Sequence, residues 1–190
     1  MLVWAAAAVA APSGYTLSKS TDTCKIYSGP ALSNGVVPMM AECTWSDVTL
    51  DKIDRIFSKF EDHDLFFSAI AASDVVRSEG GAAIVHQVHQ ASGISDRECT
   101  LKMTRSEVGG GLKFGWTLDA AQPAIDEKRV QVAFDDGYWH FVPRSEGGVT
   151  VTYALSYGPG GSVPSFMVRW FQGSGFEAAT TELHSWMTGH

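Results

Sequence analysis

Two hydrophobic periods divide this chain. Between Leu50 and Phe60 apolar side chains recur every three or four residues: Leu50, Ile53, Ile56, Phe57 and Phe60 share one face, and Lys52, Arg55 and Lys59 the other. That spacing predicts an amphipathic helix, with Thr49 as its N-cap and Asp51 in the first turn, where the helix dipole favours an acid. A shorter stretch rich in Phe and Leu, Asp62 to Ser68, follows. From Ile70 to Tyr157 the period falls to two, and the predicted strands are Ser73–Ser78, Ala82–Gln90, Arg97–Arg105, Leu112–Leu118, Arg129–Asp135, Tyr138–Arg144 and Val149–Tyr157. Glycine-containing breaks separate them, and Asp136-Gly137 between two apolar runs reads as a hairpin turn. Cys24–Ser28 and Met40–Ser46 read as two earlier strands.

After Tyr157 the segment Gly158-Pro159-Gly160-Gly161-Ser162-Val163-Pro164 releases the chain from its last strand. Pro164 is placed to open a helix, because the N–H it lacks has no partner in a first turn. The helix predicted from Pro164 to Met187 carries Phe166, Trp170, Ala179, Leu183 and Met187 on one stripe. Gly173-Ser174-Gly175 loosens it midway, since each internal glycine costs about 1 kcal/mol relative to alanine. The expected fold is therefore α+β: a curved antiparallel sheet wrapped around a long C-terminal helix.

Composition narrows the function. The 190 residues fit one domain over 22–190, behind a linker at 12–21 and an apolar, alanine-rich segment at 1–11. That segment resembles the h-region and small-residue end of a secretory signal, although it lacks a basic n-region. Export to the periplasm or the medium is the expectation; the alternative is a cytoplasmic chain with a frayed start. A net charge of -7 argues against nucleic acid as a partner, while leaving brief membrane contact open. A monomer is the expectation. Cys24, Cys43 and Cys99 form no zinc-binding spacing. Cys24 and Cys43 pair if the chain is exported; otherwise all three are reduced, buried small hydrophobes.

Candidate chemistry is sparse. On the strand Arg97–Met103 a period of two puts Arg97, Cys99, Leu101 and Met103 on one face. An arginine among apolar side chains either enters the interior, where it needs a polar partner, or reaches solvent at the strand start. His86 and His89 form an HxxH that points to opposite sides of a strand, so no metal site is expected from it. His140 sits in another strand. There is no phosphate-binding glycine loop and no nucleophile elbow. Aromatic residues are spread over every element. They either fill the core or line a cavity, and Trp116, Phe134, Phe166 and Trp170 are the aromatic candidates for a lining that also takes in His86 and His140.

Three stretches carry a likeness to a known family. One runs from Ile84-Val85-His86 through Gly93-Ile94-Ser95-Asp96-Arg97-Glu98. Another joins Thr150-Val151-Thr152-Tyr153 to Pro159-Gly160-Gly161-Ser162-Val163-Pro164-Ser165-Phe166, and the third is the Leu50–Phe60 helix. Over residues 22–187 the chain resembles START (steroidogenic-acute-regulatory-related lipid transfer) domains of the helix-grip superfamily. It departs from their pattern at Glu98, where they carry Asp, and at His86 and Gln87, where they carry aromatic residues. The resemblance implies a non-catalytic carrier of a lipid, sterol or similar hydrophobic molecule that needs no cofactor. Arg97 would meet a polar group of the ligand, and the C-terminal helix would act as a lid. Within the same superfamily the alternative is a polyketide cyclase or hydrolase, with His86, His89, His140 or Glu98 as its acid or base. A chain whose core is filled would be neither.

Overall fold

The computed structural model describes residues 12–122, 126–164, 168 and 174–190. Its strands are β1 (Thr16–Ser20), β2 (Cys24–Ser28), β3 (Met39–Trp45), β4 (Ile70–Glu79), β5 (Ala82–His89), β6 (Arg97–Val108), β7 (Gly111–Leu118), β8 (Val130–Gln131), β9 (Phe134–Pro143) and β10 (Val149–Gly158). Helices α1 (Leu50–Phe57) and α2 (His63–Phe66) lie between β3 and β4, joined by a 3-10 turn at Phe60–Asp62, and α3 (Phe176–Gly189) ends the chain. The strands form one sheet in the spatial order β1-β2-β3-β10-β9-β7-β6-β5-β4, with β8 added in parallel beside β6. The last strand thus closes onto the third, and two chain segments far apart in sequence share the middle of the sheet.

Local chemistry explains most of these elements. Thr49 caps α1 through a hydrogen bond from the Lys52 amide (3.4 Å), and Ile53 and Phe57 are buried on the predicted face. A two-pronged contact from Arg105 to Asp54 (2.6 and 2.7 Å) ties α1 to β6. On β10 Val149, Val151, Tyr153 and Leu155 are buried and alternate with half-buried neighbours, as a strand packed on one face requires. The core they enter also holds Trp45, Phe57, Phe114, Trp139, Phe141, Phe176, Leu183 and Met187.

Some expectations need correction. Asp136-Gly137 is no turn: β9 runs straight through it, and Gly137 pairs with Trp116 on one side and Leu155 on the other. A side-chain carbon on Gly137 would lie 2.5 Å from the Ala154 carbonyl oxygen and 2.5 Å from Trp116 Cζ2. The glycine marks a close approach, not a reversal. True reversals occur where paired glycines take positive φ, as at Gly109 and Gly110 (58° and 76°) between β6 and β7. The predicted strand Arg129–Asp135 shrinks to β8, and its last two residues, Phe134 and Asp135, belong to β9. The stretch expected to be a linker contributes the exposed edge strand β1. Of the predicted Pro164–Met187 helix, the described residues are 164, 168 and 174–187, and α3 accounts for them from Phe176 onward; Phe166 and Trp170 lie outside the described residues, as do residues 1–11. Cys24 and Cys43, directly opposite on β2 and β3, form a disulfide, and Cys99 is a buried free thiol. No helix among the described residues is long and apolar enough to cross a membrane.

Candidate functional site

A cavity of about 630 Å³ lies between the sheet and α3. Its apolar wall includes Met39, Phe57, Phe67, Leu101, Met103, Trp116, Trp139, Tyr153, Leu155 and Phe176. A column of rings joins the sheet to the helix: Tyr153 stacks on Trp139 (3.9 Å between centroids, planes 5° apart) and on Phe176 (4.5 Å, 6°). Leu183 and Met187 are fully buried and anchor the rest of α3. At the rim Glu182 accepts hydrogen bonds from the Ser68 amide (3.1 Å) and hydroxyl. Further along, His184 stacks on Trp45 (4.9 Å) and contacts Asp47 (2.8 Å), and Lys19 pairs with Glu177.

The strands bring the polar part of the wall together. Arg97 opens β6, is almost wholly buried and lines the cavity. Its guanidinium donates to the Ser95 carbonyl, while its Nε–H has no partner among the described residues. His89 ends β5 opposite Arg97. Its Nε2 lies 3.1 Å from Gln87 Oε1, and its Nδ1 lies 3.1 Å from the Tyr157 hydroxyl. An amide oxygen can only accept, so in this arrangement Nε2 carries the proton and Nδ1 accepts from Tyr157. Gln87 donates onward to Ser73 Oγ (3.0 Å), which donates to the Phe60 carbonyl (2.7 Å). Asp135, on β9, is buried and accepts from Trp116 Nε1 (2.7 Å).

Burial governs the ionisation of these groups, because a low-dielectric surrounding disfavours the charged form. It lowers His89 to about 4 and raises Asp135 to about 7, the latter despite the Trp116 hydrogen bond. It pushes the Cys99 thiol and the Tyr153 and Tyr157 hydroxyls well above their ordinary values. His63, behind Phe57, also falls to about 4 for the same reason.

Of the residues expected to line a cavity, Arg97, Leu101, Met103 and Trp116 do so. Cys99 shares their face but is packed beneath the lining, with Sγ 3.9 Å from His89 Nε2. The other expectations are corrected by strand parity. His86 points to the opposite face and pairs with Glu98 (2.6 Å), a carboxylate also held by Arg129. His140 turns outward to the Val108 carbonyl (3.1 Å). Phe134 packs beside Gly158, outside the lining, and its neighbour Asp135 takes the inward place. Gln87, Trp139, Tyr153, Tyr157 and Asp135 were not among the sequence candidates, and all line the cavity.

No family model and no curated protein matches the sequence. Solved structures do match the fold. A STAR-related lipid transfer protein from Xanthomonas axonopodis superposes with a TM-score of 0.81 at 19% identity, over 92% of this chain and 99% of that one. Human STARD10 gives 0.77 at 12% identity, over 95% and 78%. The chain has the START fold. The same fold includes enzymes: the Zhui aromatase/cyclase from Streptomyces sp. R1128 matches at a TM-score of 0.53 and 10% identity, over 80% of this chain and 92% of that one. Within the START fold of this protein, the cavity sits between the sheet and α3, and its polar side chains come from β5, β6, β9 and β10.

Proposed function

We propose that this protein binds a hydrophobic ligand, a lipid, sterol or similar molecule, in the cavity between the sheet and α3, and carries it chemically unchanged. The observation that carries the reading is the cavity itself, about 630 Å³ with a mainly apolar wall and one under-paired guanidinium at its edge. Volumes of roughly 300–1,000 Å³ suit small-molecule ligands. A ligand losing about 400 Å² of apolar surface gains roughly 10 kcal/mol from burial, part of which offsets the cost of association. Arg97 Nε–H gives such a ligand one directional contact with a carbonyl, hydroxyl or anionic group. The likeness to lipid transfer proteins supports the same reading. The Cys24–Cys43 disulfide supports export, since such bonds persist in oxidising compartments. The protein acts as a monomer that touches membranes only while loading or unloading.

A second reading is an aromatase or cyclase, favoured by the hydrogen-bonded His89–Tyr157 pair in the cavity wall and by the fold it shares with such enzymes. Native mass spectrometry of the purified protein, with extraction of what it carries, tests both. An apolar ligand in the wild type, with occupancy or selectivity changed in Arg97→Leu, is the expected result. Empty protein that takes up no lipid from mixed vesicles overturns the carrier reading. Recovery of an added polyketide chain with loss of water would replace it with the enzyme.

A further inference from the structure

We propose that His89, Cys99 and Asp135 form a binding site for one divalent transition-metal ion of the zinc type, set into the inner wall of the cavity. A ring nitrogen of His89, Cys99 Sγ and a carboxylate oxygen of Asp135 all lie within 4.8 Å of one another. They come from three strands, β5, β6 and β9, so the cluster is a product of sheet register and not of a sequence motif.

The donor set is what a zinc-type ion takes: one nitrogen, one sulfur and one oxygen. The spacing fits as well. With metal–nitrogen near 2.0 Å, metal–sulfur near 2.3 Å and tetrahedral angles, two ligand atoms stand roughly 3.5 Å apart; His89 Nε2 and Cys99 Sγ are at 3.9 Å. That pair needs to draw in by a few tenths of an ångström, and the Asp135 carboxylate, within 4.8 Å of both, by about 1 Å at most. The other ring nitrogen of His89 already faces the Tyr157 hydroxyl at 3.1 Å. When Nε2 binds the ion, the ring proton moves to Nδ1 and is donated to that hydroxyl. This is the outer contact that orients a metal-bound histidine.

Charge points the same way. Asp135 is only 4% exposed and forms no ion pair among the described residues; its one hydrogen-bond donor there is the neutral Trp116 indole. A buried carboxylate normally has a cationic partner or a metal. Cys99 would bind as thiolate, releasing its proton to solvent as the ion enters. Thiolate and carboxylate then balance the two positive charges, so a neutral cluster is buried. Three protein ligands leave a fourth position open. His89 and Asp135 line the cavity, so that position faces the ligand space. A polar oxygen of a bound molecule, or water, would complete the shell.

The HxxH pair does not enter this argument. His86 and His89 diverge, and the partners of His89 lie on other strands. The site is also independent of the carrier reading: a protein that carries no lipid could still bind the ion.

The test is a titration of the whole wild-type protein with Co²⁺ in non-reducing buffer, which keeps the Cys24–Cys43 bond closed and leaves Cys99 as the sole thiol. The expected result is one Co²⁺ per chain with a thiolate-to-cobalt charge-transfer band, bleached by stoichiometric Zn²⁺. Cys99→Ser abolishes the band, and Asp135→Asn weakens binding at least about tenfold. Folded wild type that shows no such band at saturating Co²⁺ overturns the proposal, whatever the variants do. So does a Co²⁺ affinity unchanged in Cys99→Ser, which would assign binding to surface groups such as His184 and Asp47.

Discussion

Gly137 offers a sharp check on how the cavity floor is built. In a hairpin turn it would need positive φ; in β9 it needs only the absence of a side chain. Its predicted replacement by alanine has a magnitude that follows from the packing. The new methyl would stand 2.5 Å from the Ala154 carbonyl oxygen, nearly 1 Å inside normal contact. That oxygen belongs to β10, which is paired on both sides, with β3 and with β9, and cannot retreat. Trp116, also 2.5 Å away, would have to swing and would lose its hydrogen bond to Asp135. Overpacking costs about 1–3 kcal/mol, and stripping a buried carboxylate of its donor costs about 1–3 kcal/mol more. Gly137→Ala should therefore destabilise by about 4 kcal/mol, or about 10 °C in Tm for a chain of this size. Gly115→Ala, one strand away, is the control. Its methyl would meet Thr104 Oγ1 at 3.4 Å, an ordinary contact, and alanine should stabilise the strand by about 0.5–1 kcal/mol. Urea unfolding followed by tryptophan fluorescence reads both. A Gly137→Ala protein within about 0.5 kcal/mol of wild type would refute the close approach; equal losses in both variants would refute the logic of the pair.

Other outcomes follow from the same structure. Burial lowers His63 to about 4, and its Nε2 faces the Phe57 carbonyl at 3.2 Å. The unfolded chain therefore binds a proton at pH 4–6.5 that the folded one does not, and this contribution to stability is full above pH 6.5 and is lost as pH falls through 4. The stability gap between wild type and His63→Gln should narrow by about 2 kcal/mol between pH 7 and pH 5, measured by chemical denaturation at each pH; a gap independent of pH would show that the ring titrates normally. Denatured, unreduced protein should show one reactive thiol, Cys99, and Cys24→Ser with Cys43→Ser should cost about 3 kcal/mol in unfolding experiments, given the 19-residue separation. Three reactive thiols would contradict the pairing. Glu182→Ala removes the contact between α3 and Ser68 at the rim. A loss of about 1 kcal/mol there should speed release of a fluorescent lipid about fivefold and raise hydrogen exchange in α3. Unchanged release would mean that the rim contact does not limit exit.

Where a feature depends on near neighbours in sequence, the chain could be read directly. The Leu50–Phe60 stripe and Thr49 gave α1 with its cap, because a helix is decided within a few residues. Cys24–Ser28 and Val149–Tyr157 were legible as strands for the same reason. The pairing of β10 with β3 was not, since nothing local says that Tyr153 lies opposite Ala41. Cys24 and Cys43 could be named as partners only on condition of export, and nothing local says that β2 and β3 set them opposite one another. Gly137 misled because the dipeptide that favours a tight turn also permits a strand to pass under a tryptophan.

The inward face of each strand was the missing quantity, and one anchored residue per strand would have supplied it. The alternation on β6 correctly grouped Arg97, Leu101 and Met103 without saying whether they faced in. On β9 the two aromatic residues Trp139 and Phe141 are the anchors: both are buried, and counting back in twos reaches Gly137 and then Asp135. Had β9 been kept whole, that count alone would have sent a carboxylate into the interior and raised the question of what balances it. Breaking the strand at Asp136-Gly137 hid the count. On β5 both Ile84 and Val85 are buried, but only Val85 joins the main core, and the same step from it reaches Gln87 and His89 and leaves His86 outside. The side chains that give this cavity its polar character are therefore fixed by strand continuity and register, and a one-residue error in either would exchange every one of them for its neighbour.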